Sequence, residues 1–265
     1  MYDIIISVVT FNNPIPMLDS LVQSSKDCPL HIKIVFIDNS KNHEIENYCK
    51  KQKIEYLPNE NVGFGGAHNI VMSKYADLAP YFIVCNPDIV LFPDTLGKLK
   101  NFMDQNPNVT LSAPLILNPD KSIQYVHKRL PSPLIFFARR FLPSFLQQVI
   151  KTDLDLYELR DQLFDHPIIV PSLSGCFMFF RSSAIKKIGG FDEGYFMYAE
   201  DIDITRKAAA LGPTVLYPDS NVTHAWTRGS YFNYKLTWIN IKSIYYYFTK
   251  WGPNSSCEVK PFIAN

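Results

Sequence analysis

The chain has 265 residues, 47% of them hydrophobic, enough for one sizeable α/β core or two small domains and too apolar for disorder. Lys and Arg number 26 against 25 Asp and Glu, a formal charge of +1, so no overall field favours nucleic acid and any basic site must be local. Five cysteines (Cys28, Cys49, Cys85, Cys176 and Cys257) are scattered without a C-x-x-C pair, which points away from a zinc site or a disulfide framework and towards a reducing cytoplasm.

The Met-Tyr-Asp start lacks the basic lead of a signal peptide, and no apolar run approaches the roughly 18 residues that span a bilayer. A soluble or peripheral protein is expected. Residues 3–11, DIIISVVTF, form a β-branched run ending at Asn12-Asn13-Pro14, which predicts a buried parallel strand and a turn. A helix follows over 15–25, then a second buried strand, HIKIVFIDNS over 31–40, closing on Asp38. The polar stretch 43–52 predicts a helix, IEYLPN a short strand, and NVGFGGAHN a glycine-rich turn opening another helix. YFIVCN over 81–86 is a further buried strand that stops at Pro87-Asp88. The alternation predicts an α/β fold with a doubly wound, mostly parallel sheet, whose ligands bind beyond the carboxyl ends of the strands. Thr10, Asp38, Asn86 and Asp88 stand at such ends.

Beyond Pro131 the character changes. SPLIFFARRFLPSFLQQVIK (132–151) mixes bulky apolar residues with Arg139, Arg140 and Lys151, compatible with an interfacial helix or with one packed on the domain. Strand returns over 168–180 and helix over 181–188, and TVLYP at 214–218 reads as a last strand. The aromatic, lysine-bearing segment 231–252 suits a membrane surface or an apolar face of the core. The organisation read from this is one domain over 1–230 and a helical extension over 231–265.

Several residues have two readings. Asp38 can accept hydrogen bonds from a nucleotide base or close an Asx-type turn. The glycines at 63, 65 and 66 permit close approach of a ligand to a helix N-terminus, or simply a tight connection; the stretch lacks both the third glycine of G-x-G-x-x-G and a Walker lysine. Asp88 suits a hard cation shared with a diphosphate, or a solvated turn, and His224 suits a borderline metal or a structural role. In GYFMYAEDIDITRK, Glu200, Asp201 and Asp203 open a helix that ends at Gly212-Pro213. Capping explains one or two acids there. The preceding Tyr195, Phe196, Met197 and Tyr198 place them instead at a partly apolar site, where a base could take a proton from a hydroxyl.

In this order the segments SVVTFNN, VFIDNS, NVGFGGAHN, CNPDIVL, SGCFMFFR, GGFDEGYFMYAEDIDITRKAAALG and His224 resemble inverting glycosyltransferase family 2, of GT-A fold, over about residues 4–224. Asn86-Pro87-Asp88 in place of Asp-x-Asp looks most like the rhamnosyltransferase branch. The resemblance implies a nucleotide-sugar donor, dTDP-rhamnose, and a lipid-linked bacterial surface glycan of O-antigen or capsule type as acceptor. It places the protein at the cytoplasmic face of the inner membrane. It implies that Thr10, Asp38, Gly63, His68, Asn69 and Asn86 line the donor pocket, that Asp88 and His224 hold Mg²⁺ or Mn²⁺, and that Asp201 is the base. Glu200, Tyr198 and Trp226 fall near the acceptor. The departures are Asn86, which lowers the negative charge at the cation, and His68, where relatives carry arginine. Other UDP- or GDP-sugars, a nucleotidyltransferase, and an inactive sugar-nucleotide binding module are the alternatives. Thr-Phe-Asn-Asn-Pro after the first strand is not the basic, glycine-rich loop that the second of these favours.

Overall fold

A computed structural model describes residues 1–225, 234–253 and 258–263. The first half is built as expected: β1 (Ile4–Thr10), α1 (Ile15–Lys26), β2 (Ile32–Asp38), α2 (His43–Gln52), β3 (Glu55–Pro58), α3 (Gly63–Tyr75) and β4 (Tyr81–Cys85). Then come β5 (Ile89–Leu91), α4 (Thr95–Gln105), β6 (Leu111–Leu117), α5 (Pro133–Phe141), α6 (Ser144–Gln147) and α7 (Lys151–Tyr157). The chain continues through β7 (Ile168–Ile169), β8 (Phe177–Arg181), α8 (Ser182–Ile188), α9 (Glu200–Ala209), β9 (Thr214–His224), α10 (Tyr234–Trp251) and β10 (Lys260–Pro261).

One sheet runs β10-β7-β9-β6-β8-β4-β1-β2-β3, with β5 paired to β9. Strands β3, β2, β1 and β4 are parallel, whereas β8 enters antiparallel between β4 and β6, so the sheet is mixed rather than parallel throughout. Period-2 alternation divides the core into two layers. Ile4, Ile6 and Val8 of β1 face the apolar sides of α1, α2 and α4, while Ile5 joins Val35, Phe82 and Val84 on the face covered by α3, α8 and α9. Both faces of the central strands are therefore buried, which is why they read as continuous apolar runs.

A third, smaller cluster joins α9 to the C-terminal helix: Tyr195, Ala199, Ile202 and Tyr247, with Leu130, Phe136, Phe248 and Trp251 against them. Asp203, fully buried, accepts from the Trp251 indole at 2.7 Å and pairs with Lys250 at 2.7 Å. The aromatic extension thus docks one face on the core through an acid that the sequence reading assigned to the start of α9. Its other face leaves Trp238 and Tyr245 exposed. No helix among the described residues is long and apolar enough to cross a membrane.

Candidate active site

At the carboxyl end of β4 and the start of β8 lies a cleft of about 1110 Å³, roofed by the α5–α7 segment. Asn86, Tyr198, Glu200, Asp201 and His224 line it together with Ser174, Gly175 and Cys176. Residues as far apart in sequence as Asn86 and His224, 138 positions, are gathered there by the register of β4 on β8 and of β5 on β9, where Ile89 pairs His224.

The acids owe their position to a strained turn. Tyr198 and Ala199 both have left-handed backbone, φ 75° and 66°, a conformation costly for residues with a Cβ. Three contacts hold it: Phe64 N–H donates to Phe196 O at 3.0 Å, Ser243 Oγ donates to Met197 O at 2.8 Å, and Gly63, at φ 84°, lets α3 press against Phe196. The acids that follow diverge. Asp201 accepts from the Gly175 N–H at 3.2 Å and the Ile202 N–H at 2.9 Å, while Glu200 is 6% exposed with Oε2 unpartnered. Ala199 occupies the N-cap position with no side-chain cap, and of the first-turn acids Asp201 satisfies one helix-start donor, the Ile202 N–H, while Glu200 does not.

Burial raises the Asp201 carboxyl above its ordinary value, and burial reinforced by the Asp201 charge pushes Glu200 up to about 8. A raised carboxyl keeps its proton in the folded chain at pH values where the unfolded chain has lost it. Stability therefore falls as pH rises from about 4.5 through about 8. Glu200→Gln removes that penalty. Its unfolding midpoint is expected to match wild type near pH 5 and to exceed it increasingly up to pH 8.5 in thermal melts; parallel midpoint curves for the two proteins would contradict this.

At the β5–β9 side, His224 is 4% exposed, with Nδ1 2.6 Å from Gln124 Oε1. The Gln124 amide is fixed because its Nε2 donates to Asn118 Oδ1 at 2.8 Å and to His224 O at 3.3 Å. Its Oε1 must then accept, which puts a proton on Nδ1; in the neutral imidazole the Nε2 lone pair then faces Asp88 Oδ1 at 3.3 Å and the Asn86 amide at 3.4 Å. Asp88 Oδ1 is itself buried without a hydrogen bond. A lone pair and an orphaned carboxylate oxygen turned on each other fit a cation between them. No cluster of three or more His, Cys, Asp or Glu suited to a metal occurs among the described residues, so other ligands have to come from substrate oxygens or water. Gln124 carries no motif and was not found by sequence reasoning.

The residues assigned to the donor pocket are not brought together on this cleft, Asn86 excepted. Thr10 and Asp38 are fully buried, and Asp38 accepts from Thr10 Oγ1 (3.0 Å), Ser40 Oγ (2.6 Å), Asn42 N (2.6 Å) and Tyr56 OH (3.0 Å). Its oxygens are spent shaping the β2–α2 turn. His68 is also fully buried, 2.7 Å from Ser7 Oγ and packed between Phe64 and Phe191. Burial pulls its imidazole down to about 3, so it stays neutral and brings no charge to a phosphate. Asn69 is engaged with Phe191, accepting from its N–H at 2.8 Å and donating to its O at 3.0 Å, which anchors the loop before the strained turn. Gly63 serves the same loop. Trp226 lies outside the described residues.

A similar fold occurs in two solved structures: GalNAc-T7 with UDP, GalNAc and Mn²⁺ (TM-score 0.63, 16% identity, 86% of this chain) and residues 1–349 of S. aureus TarS (TM-score 0.58, 14% identity, 91% of this chain). This chain spans 44% of the first and 65% of the second. The architecture is that of the GT-A glycosyltransferases. Residues 5–189 match the model of glycosyl transferase family 2; the chain belongs to that family and is a glycosyltransferase. It is 27% identical over 238 residues to the N-acetylglucosaminyl-diphospho-decaprenol L-rhamnosyltransferase of Mycobacterium tuberculosis, covering 84% of this chain and 76% of that one. It is 26% identical over 230 residues to the rhamnosyltransferase WbbL of Escherichia coli, covering 83% of each.

Proposed function

We propose that the protein transfers L-rhamnose from dTDP-rhamnose, with inversion, to a hydroxyl of a diphosphate-linked lipid acceptor in the assembly of a bacterial surface glycan. The observation that carries the chemistry is the placement of Asp201. Its carboxylate stands in the cleft, oriented by the Gly175 N–H, and the next residue, Cys176, accepts from the backbone N–H of Asn86 at 2.9 Å, beside Asp88 and His224. A base and a leaving-group site are thereby held within one short segment.

Asp201 accepts the proton of the attacking hydroxyl, late, as the new bond acidifies it. Glu200, carrying its own proton near neutrality, donates a hydrogen bond to the acceptor, and Tyr198 forms part of its wall. Asp88 and His224 would hold a divalent cation, which when bound supplies positive charge to the oxygens of a departing diphosphate. The choice of rhamnose is supported by the names of both relatives, and that of a diphosphate-linked lipid by the name of the mycobacterial one. A peripheral position on a membrane is supported by the apolar side chains exposed on the roof and on α10, among them Leu134, Phe145, Val149 and Trp238.

A panel of nucleotide sugars assayed for binding and turnover, with and without Mn²⁺ or Mg²⁺, tests the reading. dTDP-rhamnose is expected to be preferred, and equal or better turnover of a UDP- or GDP-hexose would replace the donor. Gln124→Leu, which frees the imidazole to take the wrong tautomer, is expected to raise the Mn²⁺ concentration for half-maximal turnover by roughly 10–100-fold with little change at saturation. An unchanged metal titration would remove Gln124 from this role.

A further inference from the structure

The cleft wall away from Asp88 is basic. Lys128, Arg139, Lys151 and Arg160 line it, and Asp155 and Glu158 are the acids paired with them; the other two acids of the cleft, Glu200 and Asp201, belong to the catalytic end. Glu158 alone takes Lys128 at 3.2 Å, Arg139 at 3.3 Å and Arg160 at 2.8 Å. Asp155 reaches Arg160 at 3.5 Å and holds Lys151 as well, so two carboxylates are shared among four cations, and the Lys128 side chain is only 12% exposed. Positive charge withdrawn from water without a full complement of counter-charge is costly unless an anion completes it. Burial, with Arg139 next in weight, draws the Lys128 ammonium down to about 8, as expected of an under-neutralised cluster. The guanidinium groups are also braced: Arg139 lies over the Tyr157 ring at 5.3 Å and Arg160 over Tyr125 at 4.3 Å.

A single stretch of chain sets the order of sites along the cleft. Lys128 N–H donates to Ser172 O at 2.9 Å, Gly175 N–H donates to Asp201 at 3.2 Å, and Asn86 N–H donates to Cys176 O at 2.9 Å. The basic cluster, the base and the Asp88–His224 pair are met in turn along residues 172–176. Three residues of chain, at most roughly 10 Å of backbone, separate the Ser172 and Gly175 contacts, which keeps the segment bearing Lys128 and the base close together along one wall.

We infer that Lys128, Arg139 and Arg160 form a second anion subsite, distinct from that of the donor diphosphate, which binds the phosphate or diphosphate linking the acceptor sugar to its carrier. This rests on the transfer reading given above. Glu158 acts as the bracket that keeps the three cations together and is itself a competitor of the incoming anion.

The test is calorimetric titration of inorganic pyrophosphate into the whole protein with chelator present, which needs no turnover. Wild type is expected to bind it with an affinity that falls as salt rises. Arg139→Gln and Arg160→Gln are each expected to weaken binding at least about tenfold, and Asp88→Asn to leave it within about twofold. Glu158→Gln, which removes a competing anion and no cation, is expected to tighten it several-fold. Affinity indifferent to both arginine substitutions and to Glu158→Gln overturns the subsite. So does a loss in the arginine variants of binding to phosphatidylglycerol vesicles without loss of pyrophosphate binding, which would assign the cluster to lipid headgroups. With the donor identified, Arg139→Gln should raise KM for a diphosphate-linked acceptor about tenfold or more and leave KM unchanged for the donor and for the same sugar without phosphate. If instead no sugar is transferred at all, the pyrophosphate result still stands or falls by itself.

Discussion

Asp201→Asn is expected to lower the single-turnover rate of sugar transfer by roughly 10²–10⁴-fold while donor affinity, measured by calorimetry, stays within about twofold. The substitution keeps the shape of the side chain and one oxygen for the Gly175 or the Ile202 N–H, gives up the hydrogen bond to the other, and removes the capacity to take a proton. Stability supplies the control. Because burial raises the Asp201 carboxyl, its charge is held at a cost in the folded state, and removing it should leave the unfolding midpoint at pH 8 equal or higher. A structural acid would behave in the opposite way, losing stability with activity. The raised value also has a kinetic consequence: the acid limb of kcat/KM should lie above the ordinary aspartate range and vanish in the variant. Near-normal turnover by Asp201→Asn would move the base elsewhere, with Glu200 the neighbouring carboxyl to test.

Much of this arrangement was legible from local pattern, and what was not depended on distant partners. β1, β2 and β4 announce themselves because strands buried on both faces run apolar almost throughout, with Ser7 and Lys33 the interior exceptions. The direction of β8 leaves no such trace: FMFFR reads alike parallel or antiparallel, and only its pairing with Tyr81–Cys85 fixes it. Residues 168–180 read as one strand, but Pro171 and the turn at Gly175 interrupt it, and that interruption carries the N–H that orients Asp201. On α9, Asp201 and Asp203 are about 200° apart around the axis, so their divergence could be read from helical geometry. That Asp203 would meet Lys250 and Trp251 could not. The glycine-rich stretch, which reads equally as a ligand approach or a tight connection, depends on a distant partner too. At Gly63 the group that comes close is the chain's own Phe196, and His68 is turned inward onto Ser7.

Gly63 therefore offers the most severe test of how the site is built. At φ 84° any other residue is strained, and a Cβ there would overlap the Phe196 carbonyl oxygen and lie 2.8 Å from its carbon. Both obstacles are backbone, so neither can rotate away. Gly63→Ala is expected to cost about 2–4 kcal/mol, of which the left-handed conformation alone accounts for roughly 1–3. For a chain of this size that lowers the melting midpoint by very roughly 5–15 °C. The loss of activity should exceed what unfolding explains. The displaced segment is the turn whose Tyr198 and Ala199 are already left-handed, and Glu200 and Asp201 follow it directly. A shift of the base by about 1 Å can cost on the order of a hundredfold, so kcat/KM measured well below the melting midpoint should fall by about that much. Gly97→Ala in α4 is the matched control, because nothing lies within 4 Å of its added Cβ; there alanine should stabilise by about 0.5–1 kcal/mol and leave transfer intact. If Gly63→Ala melts low yet transfers sugar normally while folded, the turn does not position the base, and the Gly175 N–H alone must hold it.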